Sequence, residues 1–177
     1  MENTDLESIN GKSHDPNTPE AVLENYLDEH DYEIFRALNA NGRISDTELA
    51  ERVGLSRTAV RRRREKLQEG DVLEILAVIV LQEADLADAQ ILVSFDQHVS
   101  SDVRKQFITK LIDEGLVYNT SSCLGEYDLM FSAWHTDLNS LKEYVWDLFD
   151  GEEIVNNYTI IPLLKTWKAW DKELDRP

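Results

Sequence analysis

The spacing of apolar residues changes character along the chain. Between residues 28 and 70, apolar positions recur every three or four residues, which is the period of amphipathic helices. From about residue 72 the pattern turns to β-branched and aromatic runs, interrupted by two further helical stretches. Residues 1–17 are polar and show no such period, so we predict a disordered tail there. The pattern thus separates a helical first part from a mixed second part.

Three short helices are predicted in the first part, and each has a recognisable start. Asp28 is a candidate N-cap for the first of them. Ser45 and Glu48 form a capping box for the second, because each side chain can accept a hydrogen bond from the other residue's backbone N–H. Gly54 ends this helix and Ser56 caps the next. Two short helices joined by a glycine-containing turn of three or four residues are typical of a helix-turn-helix unit.

The second part opens with a β-rich segment at residues 72–81 and then predicts the order strand, helix, strand, strand, helix, strand. This βαββαβ order implies an antiparallel sheet with both helices on one face, as in ferredoxin-like domains. The segments are a strand at 91–96, a helix at 103–112, a hairpin at 116–124 and 127–134 around Gly125, a helix at 138–148 and a strand at 154–164.

Charge is distributed unevenly between these parts. The net charge is −17, which by itself argues against nucleic acid as a partner, because DNA binding requires phosphate neutralisation. Residues 28–70, however, are neutral, and residues 57–68 hold six basic side chains against Glu65 alone. We therefore predict that the third helix enters the DNA major groove. A solvated arginine face or a protein-binding winged helix is the alternative. The candidate DNA-binding residues are Ser56, Arg57, Thr58, Arg61, Arg62 and Lys66.

The acidic residues outside the segment 28–70 and the polar N-terminus indicate where the protein works. Acidic residues are spread along the whole chain, a pattern that favours a protein kept soluble in concentrated salt. The N-terminus lacks the features of a secretory signal, and no apolar run is long enough for a membrane span. We expect a cytoplasmic protein with no membrane partner. Cys123 is the single cysteine, which excludes an intramolecular disulfide.

The sequence offers little support for catalysis. His14, His30, His98 and His135 are scattered, with no pair at helical spacing and no accompanying cysteines. We therefore predict no metal site, no cofactor and no enzymatic activity. A different chemistry is suggested by Gly125-Glu126-Tyr127-Asp128, since a glycine amide with nearby carboxylates can hold an amino acid. The alternative is a plain hairpin turn with solvated acids.

At this point the sequence resembles the Lrp/AsnC (feast/famine) family of prokaryotic regulators over about residues 27–167. The resemblance rests on LDEHDYEIFRALNANGRISDTELAERVGLSRTAVRRRREKLQEG, followed by a β linker and a βαββαβ domain with GEYD in its hairpin loop. It implies a sequence-specific DNA-binding regulator that dimerises through its βαββαβ domains and assembles further. It also implies a small-molecule effector, typically an amino acid but also another small metabolite, near that loop at the interface between dimers. Carried over, the effector-binding residues are Gly125, Tyr127 and Asp128.

Two positions depart from the family's pattern. Arg64 stands where the family usually has an aliphatic residue on the buried side of the recognition helix. Asp71 stands where a glycine usually closes that helix, with Gly70 one position early. These departures concern the packing of the helix and the path of the chain after it. The acidic composition further suggests a source of the salt-adapted, haloarchaeal type.

The predicted protein is α+β, with an N-terminal (winged) helix-turn-helix and a C-terminal ferredoxin-like domain. Two other functions stay open at the level of sequence. Sirohaem decarboxylases resemble this family, and His98 or His135 would then be candidate acid groups. A regulator that responds to oligomer state alone would need no effector. The predicted segments are an N-terminal extension at 1–26, a DNA-binding domain at 27–71, a β linker at 72–88, and a dimerisation and effector domain at 89–177.

Overall fold

The computed structural model describes residues 15–170 and 172–175, and these form two compact units that divide between Ala77 and Val78. Most of the tail predicted at residues 1–17 lies outside the described residues, as does His14. Among the described residues, no helix is both long enough and apolar enough to cross a membrane.

The first unit is helical, and its three longer helices begin at the caps that the sequence predicts. Asp28, Ser45 and Ser56 each accept a hydrogen bond from the backbone N–H three residues later. The Glu48 carboxylate in turn accepts a hydrogen bond from the Ser45 N–H, which completes the predicted capping box. The helices are α1 (Pro19–Leu23), α2 (Glu29–Ala40), α3 (Asp46–Val53) and α4 (Arg57–Glu69).

Apolar residues at helical spacing form the core of this unit. Ile34 of α2, Leu49 of α3 and Val60 of α4 have no exposed surface. Leu67 in the last turns of α4 and Leu73 beyond its end belong to the same cluster. Burial on this scale stabilises a small domain by roughly 1.5–3 kcal/mol for each large apolar side chain. The apolar core therefore sets which side of α4 remains exposed.

The β linker predicted at residues 72–88 is only partly strand. Residues 72–80 pair with no strand in the described part of the chain, and a 3₁₀ turn follows at Leu81–Ala84. Strand β1 (Ala87–Phe95) begins before the predicted end of the linker. A β-rich segment forms a strand only when its backbone N–H and C=O groups form hydrogen bonds with a neighbouring strand. Local composition does not determine whether such a strand is present. The described residues 15–77 hold no hairpin either, so the optional wing is absent there.

The second unit has the predicted ferredoxin-like order. Its antiparallel sheet has the strand order β2 (Val117–Ser122), β3 (Leu129–His135), β1, β4 (Val155–Pro162). Val93 of β1 lies opposite Leu129 on one side and Tyr158 on the other. Two short strands then form a separate hairpin that the sequence did not predict. The elements after β1 are α5 (Ser101–Asp113), β2 (Val117–Ser122), β3 (Leu129–His135), α6 (Leu138–Phe149), β4 (Val155–Pro162), β5 (Lys168–Ala169) and β6 (Lys172–Glu173).

The core of the second unit lies between one face of the sheet and the two helices. Ile91 and Phe131 on the strands pack with Phe107 of α5 and Val145 of α6. The opposite face, which we call the outer sheet face, carries alternate residues of the same strands. Its apolar members include Leu92, Met130, Trp134 and Ile161, which are half-buried or exposed.

Candidate nucleic-acid interface

The exposed side of α4 carries every DNA-binding residue that the sequence predicts. The helix follows α3 after the three-residue turn Gly54-Leu55-Ser56, and Gly54 adopts a left-handed backbone with φ 69°. Val60 and Leu67 anchor the opposite side of α4 in the core. The structure therefore brings the predicted residues to one solvent-facing surface, which we call the α4 face. They are Ser56, Arg57, Thr58, Arg61, Arg62 and Lys66.

The run of four arginines on α4 divides into two pairs with different surroundings. Arg61 and Arg62 are exposed, and the Arg61 side chain keeps 64% of its surface. Arg63 and Arg64 turn inward and keep 27% and 28%. This division follows the helical period, since residues 63 and 64 lie on the same side as Val60 and Leu67.

Both inward arginines pair with carboxylates of the preceding helices. Arg63 Nη1 lies 2.6 Å from Asp28 Oδ2 and 2.7 Å from Asp31 Oδ1. Arg64 Nη1 lies 2.8 Å from Asp46 Oδ1. The hydrogen bonds to Asp28 and Asp31 raise the pKa of Arg63, and the Asp31 N–H together with Arg63 lowers the pKa of Asp28. The sequence pattern does not predict these pairs, although a charge at position 64, which is usually aliphatic, was a signal for the pair of Arg64.

The chain leaves α4 through Asp71, the second departure from the family pattern. Gly70 has an ordinary φ of −89°, whereas Asp71 has φ 54° in the left-handed region. Aspartate tolerates this region better than most residues with a Cβ. The left-handed position usually held by glycine is thus present here, with aspartate in it.

The hairpin loop between β2 and β3 holds the predicted effector-binding residues. Gly125 lies at its exposed tip with φ 136°. The Tyr127 hydroxyl is 3.0 Å from Thr159 Oγ1 of β4, and the Phe95 N–H donates to Asp128 Oδ2 at 2.7 Å. Two of the three predicted residues therefore also fasten the loop to neighbouring strands.

The two histidines of the enzymatic alternative do not converge. His98 follows the end of β1, and His135 ends β3, its antiparallel neighbour. Antiparallel strands end at opposite edges of a sheet, so the two imidazoles cannot act as an acid–base pair on one substrate within this unit. No cluster of three metal-ligating side chains occurs within residues 15–170 and 172–175.

Comparison with known proteins assigns this architecture to a class. The AsnC-type helix-turn-helix domain matches residues 27–68. The leucine-responsive regulatory protein of Rhizobium meliloti is 31% identical over 134 residues, which are 73% of this chain and 84% of that protein. An HTH-type transcriptional regulator of Pyrococcus abyssi is 32% identical over 126 residues, which are 69% of this chain and 79% of that protein.

A solved structure agrees over almost the whole fold. The crystal structure of a Neisseria meningitidis transcriptional regulator in complex with L-Met has a TM-score of 0.72 and 27% identity. It covers 85% of this chain and 96% of that one. The protein is therefore a helix-turn-helix transcriptional regulator with an α+β second domain. It belongs to the Lrp/AsnC family, as the sequence predicted, and these relatives support that function over a sirohaem-decarboxylase-like enzyme.

Proposed function

We propose that the protein recognises double-stranded DNA by placing the α4 face in the major groove. The observation that carries this proposal is the separation of Arg61 and Arg62 from Arg63 and Arg64. Two guanidinium groups point into solvent beside Arg57 and Thr58, while the apolar side of α4 fixes the helix in the core. Arginine can donate two hydrogen bonds to guanine and also pair with phosphate, and the first turns of a recognition helix make these contacts.

Replacing both exposed arginines tests this assignment. The Arg61→Ala/Arg62→Ala double variant should bind a promoter fragment more weakly, and each lost phosphate contact should lower the slope of log affinity against log salt by about one. A lost base contact should cost roughly 1–3 kcal/mol. The control, Lys105→Ala/Lys142→Ala, removes the same charge from the second unit. An unchanged mobility shift for the arginine variant would refute the assignment of α4.

We propose further that two or more copies assemble through the outer sheet face. Leu92, Met130 and Ile161 lie together there, opposite the helices, with Trp134 at one end. Apolar residues on an uncovered sheet face are stabilised when a second surface excludes water from them. A two-fold pair would present two α4 helices to half-sites about one DNA turn apart.

We propose an amino acid as effector, bound at the hairpin loop. The solved Neisseria regulator is a complex with L-Met, and that ligand is a property of that protein. In the present chain, Gly125 supplies an accessible backbone, and Asp128 Oδ1 is the oxygen that an ammonium group would take, since Oδ2 accepts from Phe95. Two carboxylates in the loop, Glu126 and Asp128, favour a ligand that carries positive charge.

Calorimetry against the twenty amino acids tests the effector. Asp128→Asn should abolish the heat of binding, whereas Glu126→Gln, which removes the neighbouring charge, should weaken binding without abolishing it. Because Asp128 also fastens the loop, the fold of both variants is checked by tryptophan fluorescence. If no amino acid gives heat, the proposed amino-acid site is refuted and the loop is a plain hairpin turn.

We also propose that the protein works in the cytoplasm of a salt-adapted prokaryote. The proposed binding to DNA supports the cytoplasmic location. The net charge of −17 supports adaptation to concentrated salt.

A further inference from the structure

We infer that Arg63 and Arg64 are positioning residues for DNA recognition: they hold α4 at a fixed rotation against α2 and α3 by pairing with acids in the first turns of those helices. The inference rests on the proposed use of the α4 face in DNA binding. The four consecutive arginines of α4 then have two roles: Arg61 and Arg62 contact DNA, and Arg63 and Arg64 fix the orientation of the helix.

Arg63 ties α4 to the start of α2. Its Nη1 donates to Asp28 Oδ2 and Asp31 Oδ1, and the Asp31 residue is 7% exposed. Asp28 is already fixed, because its Oδ1 accepts from the Asp31 backbone N–H at 2.9 Å. The Arg63 guanidinium group therefore binds two carboxylates, of Asp28 and Asp31, and the capping hydrogen bond of α2 already holds the first of them in place. Charge-assisted bonds of this kind are short and directional.

Arg64 ties α4 to the start of α3. Its partner Asp46 is the first residue of α3, and the two side chains keep 28% and 15% of their surface. The N-terminal end of a helix already favours a carboxylate. Arg64 Nε and Asp46 Oδ1 are both buried without a hydrogen-bond partner among the described residues, so the 2.8 Å contact between Arg64 and Asp46 is an ion pair without hydrogen-bond geometry. Desolvating an arginine in this way is costly, so apolar packing would be the cheaper way to fill this position.

The apolar contacts of α4 leave its rotation weakly defined. Val60 and Leu67 are its two buried residues, seven positions apart, and residues 63 and 64 fill the stretch between them. Apolar burial is non-directional, so these two contacts tolerate small rotations of the helix. Two ion pairs to different helices at adjacent positions restrict that rotation. A rotated α4 would displace Arg61 and Arg62 from their contacts on DNA.

Neutralising the acids separates positioning from general electrostatics. Asp31→Asn and Asp46→Asn each remove a negative charge from the DNA-binding unit. Repulsion from DNA alone predicts tighter binding, whereas loss of positioning predicts weaker binding. The control Glu51→Gln makes the same charge change at an exposed position of α3. The probes are a duplex selected for tight binding from a random pool and a random-sequence duplex of equal length.

We expect Asp31→Asn, which removes a charged hydrogen bond, and Asp46→Asn, which removes an ion pair, each to lose about fivefold or more in affinity for the selected duplex. Their salt slope should fall toward the value of the Arg61→Ala/Arg62→Ala variant, because a rotated α4 displaces these two arginines from their phosphate contacts. Glu51→Gln should bind as well as wild type or better. Unchanged or tighter binding of the selected duplex by both aspartate variants would overturn the inference.

A second pair of variants covers loss of folding. Arg63→Lys and Arg64→Lys keep the charge but lose the planar guanidinium, so they should lower the ratio of selected to random binding while the helical signal persists. A wild-type ratio in both would also overturn the inference. The Arg61→Ala/Arg62→Ala variant distinguishes the two failures. If the Arg61→Ala/Arg62→Ala variant lowers the salt slope while the aspartate variants bind like wild type, only the positioning role of Arg63 and Arg64 is refuted. If the Arg61→Ala/Arg62→Ala variant binds DNA like wild type, the proposed role of the α4 face in DNA binding is itself refuted.

Discussion

Arg61 Nε donates a hydrogen bond of 2.8 Å to Glu65 Oε1, one turn further along the exposed side of α4. The pair lies on the surface proposed to meet DNA, and both side chains are well exposed. The bond to Glu65 raises the pKa of Arg61, so the guanidinium stays fully charged. Glu65 therefore competes with phosphate for one of the two arginines that we assign to DNA.

Replacing Glu65 with glutamine should strengthen binding to random-sequence DNA by a few fold. The variant removes a negative charge from the α4 face and frees Arg61 for phosphate. The melting temperature should hardly change, because an exposed pair at this spacing contributes only about 0.3–0.5 kcal/mol. Fluorescence anisotropy at two KCl concentrations measures the effect, with Glu69→Gln at the end of α4 as control. Weaker binding by Glu65→Gln would show that Glu65 itself contacts the DNA.

Features encoded by neighbouring residues were predictable from the sequence. The caps at Asp28, Ser45 and Ser56 and the turn at Gly54 depend on contacts within a few positions, and all are confirmed. The order βαββαβ is also confirmed, since alternation and helical period identify each element by itself. The candidate DNA-binding residues follow from the period of α4, which fixes its exposed side.

Features that depend on distant partners were not predictable in the same way. The pairs of Arg63 and Arg64 join residues 18 to 35 positions apart. The β-rich segment at 72–81 pairs with no strand within residues 15–170 and 172–175, which no local pattern reveals. Asp128 was read as a ligand-binding acid, yet it also accepts from the Phe95 N–H across the sheet. In each case the missing knowledge was which segment lies next to which.

The left-handed positions Gly54 and Asp71 should respond differently to substitution. Gly54→Ala should destabilise this unit by about 1–2 kcal/mol, because φ 69° disfavours a Cβ although the space around it is open. Asp71→Gly should be neutral or stabilising by up to about 1 kcal/mol, because glycine relieves φ 54° at some entropic cost. Far-UV circular dichroism in urea follows the helices. Equal effects of the two substitutions would contradict this account.

Tryptophan fluorescence supplies an internal control for those measurements. All four tryptophans lie at or beyond residue 134, in the second unit. Their unfolding transition should therefore stay at the wild-type position in both variants.

Asp137 should make the second unit sensitive to acid. It caps α6, and hydrogen bonds from Ser140 above all lower its pKa to about 2. An unfolded aspartate titrates near pH ~4, so the stabilisation is complete above that value and is lost as the pH falls toward 2. The difference in stability between wild type and Asp137→Asn should shrink across this window. Tryptophan fluorescence in urea measures it, with Glu143→Gln on the same helix as control; a constant difference would refute the role of the cap.

Potassium chloride should stabilise the protein over a wide range of concentration. A net charge of −17 produces repulsion within the folded chain, and salt screens it. The midpoint of thermal unfolding should rise between dilute buffer and molar KCl, and the rise should be steepest at low salt, where the Debye length is longest. Sucrose, which does not screen charge, is the control solute. Full stability in dilute buffer would count against salt adaptation.

The outer sheet face should control the assembly of the protein. Met130 lies opposite Leu92 on adjacent strands, so a charge at either position would enter the proposed interface. Wild type should scatter light as a dimer or larger, well above the chain mass of 20.4 kDa. Met130→Asp should return the monomer mass at micromolar concentration, because burying an unpaired carboxylate in an apolar interface is strongly unfavourable. Ile112→Asp, at a 65% exposed position on α5, should leave the assembly intact. A monomer mass for wild type, or the same oligomer for Met130→Asp, would exclude this face as the interface.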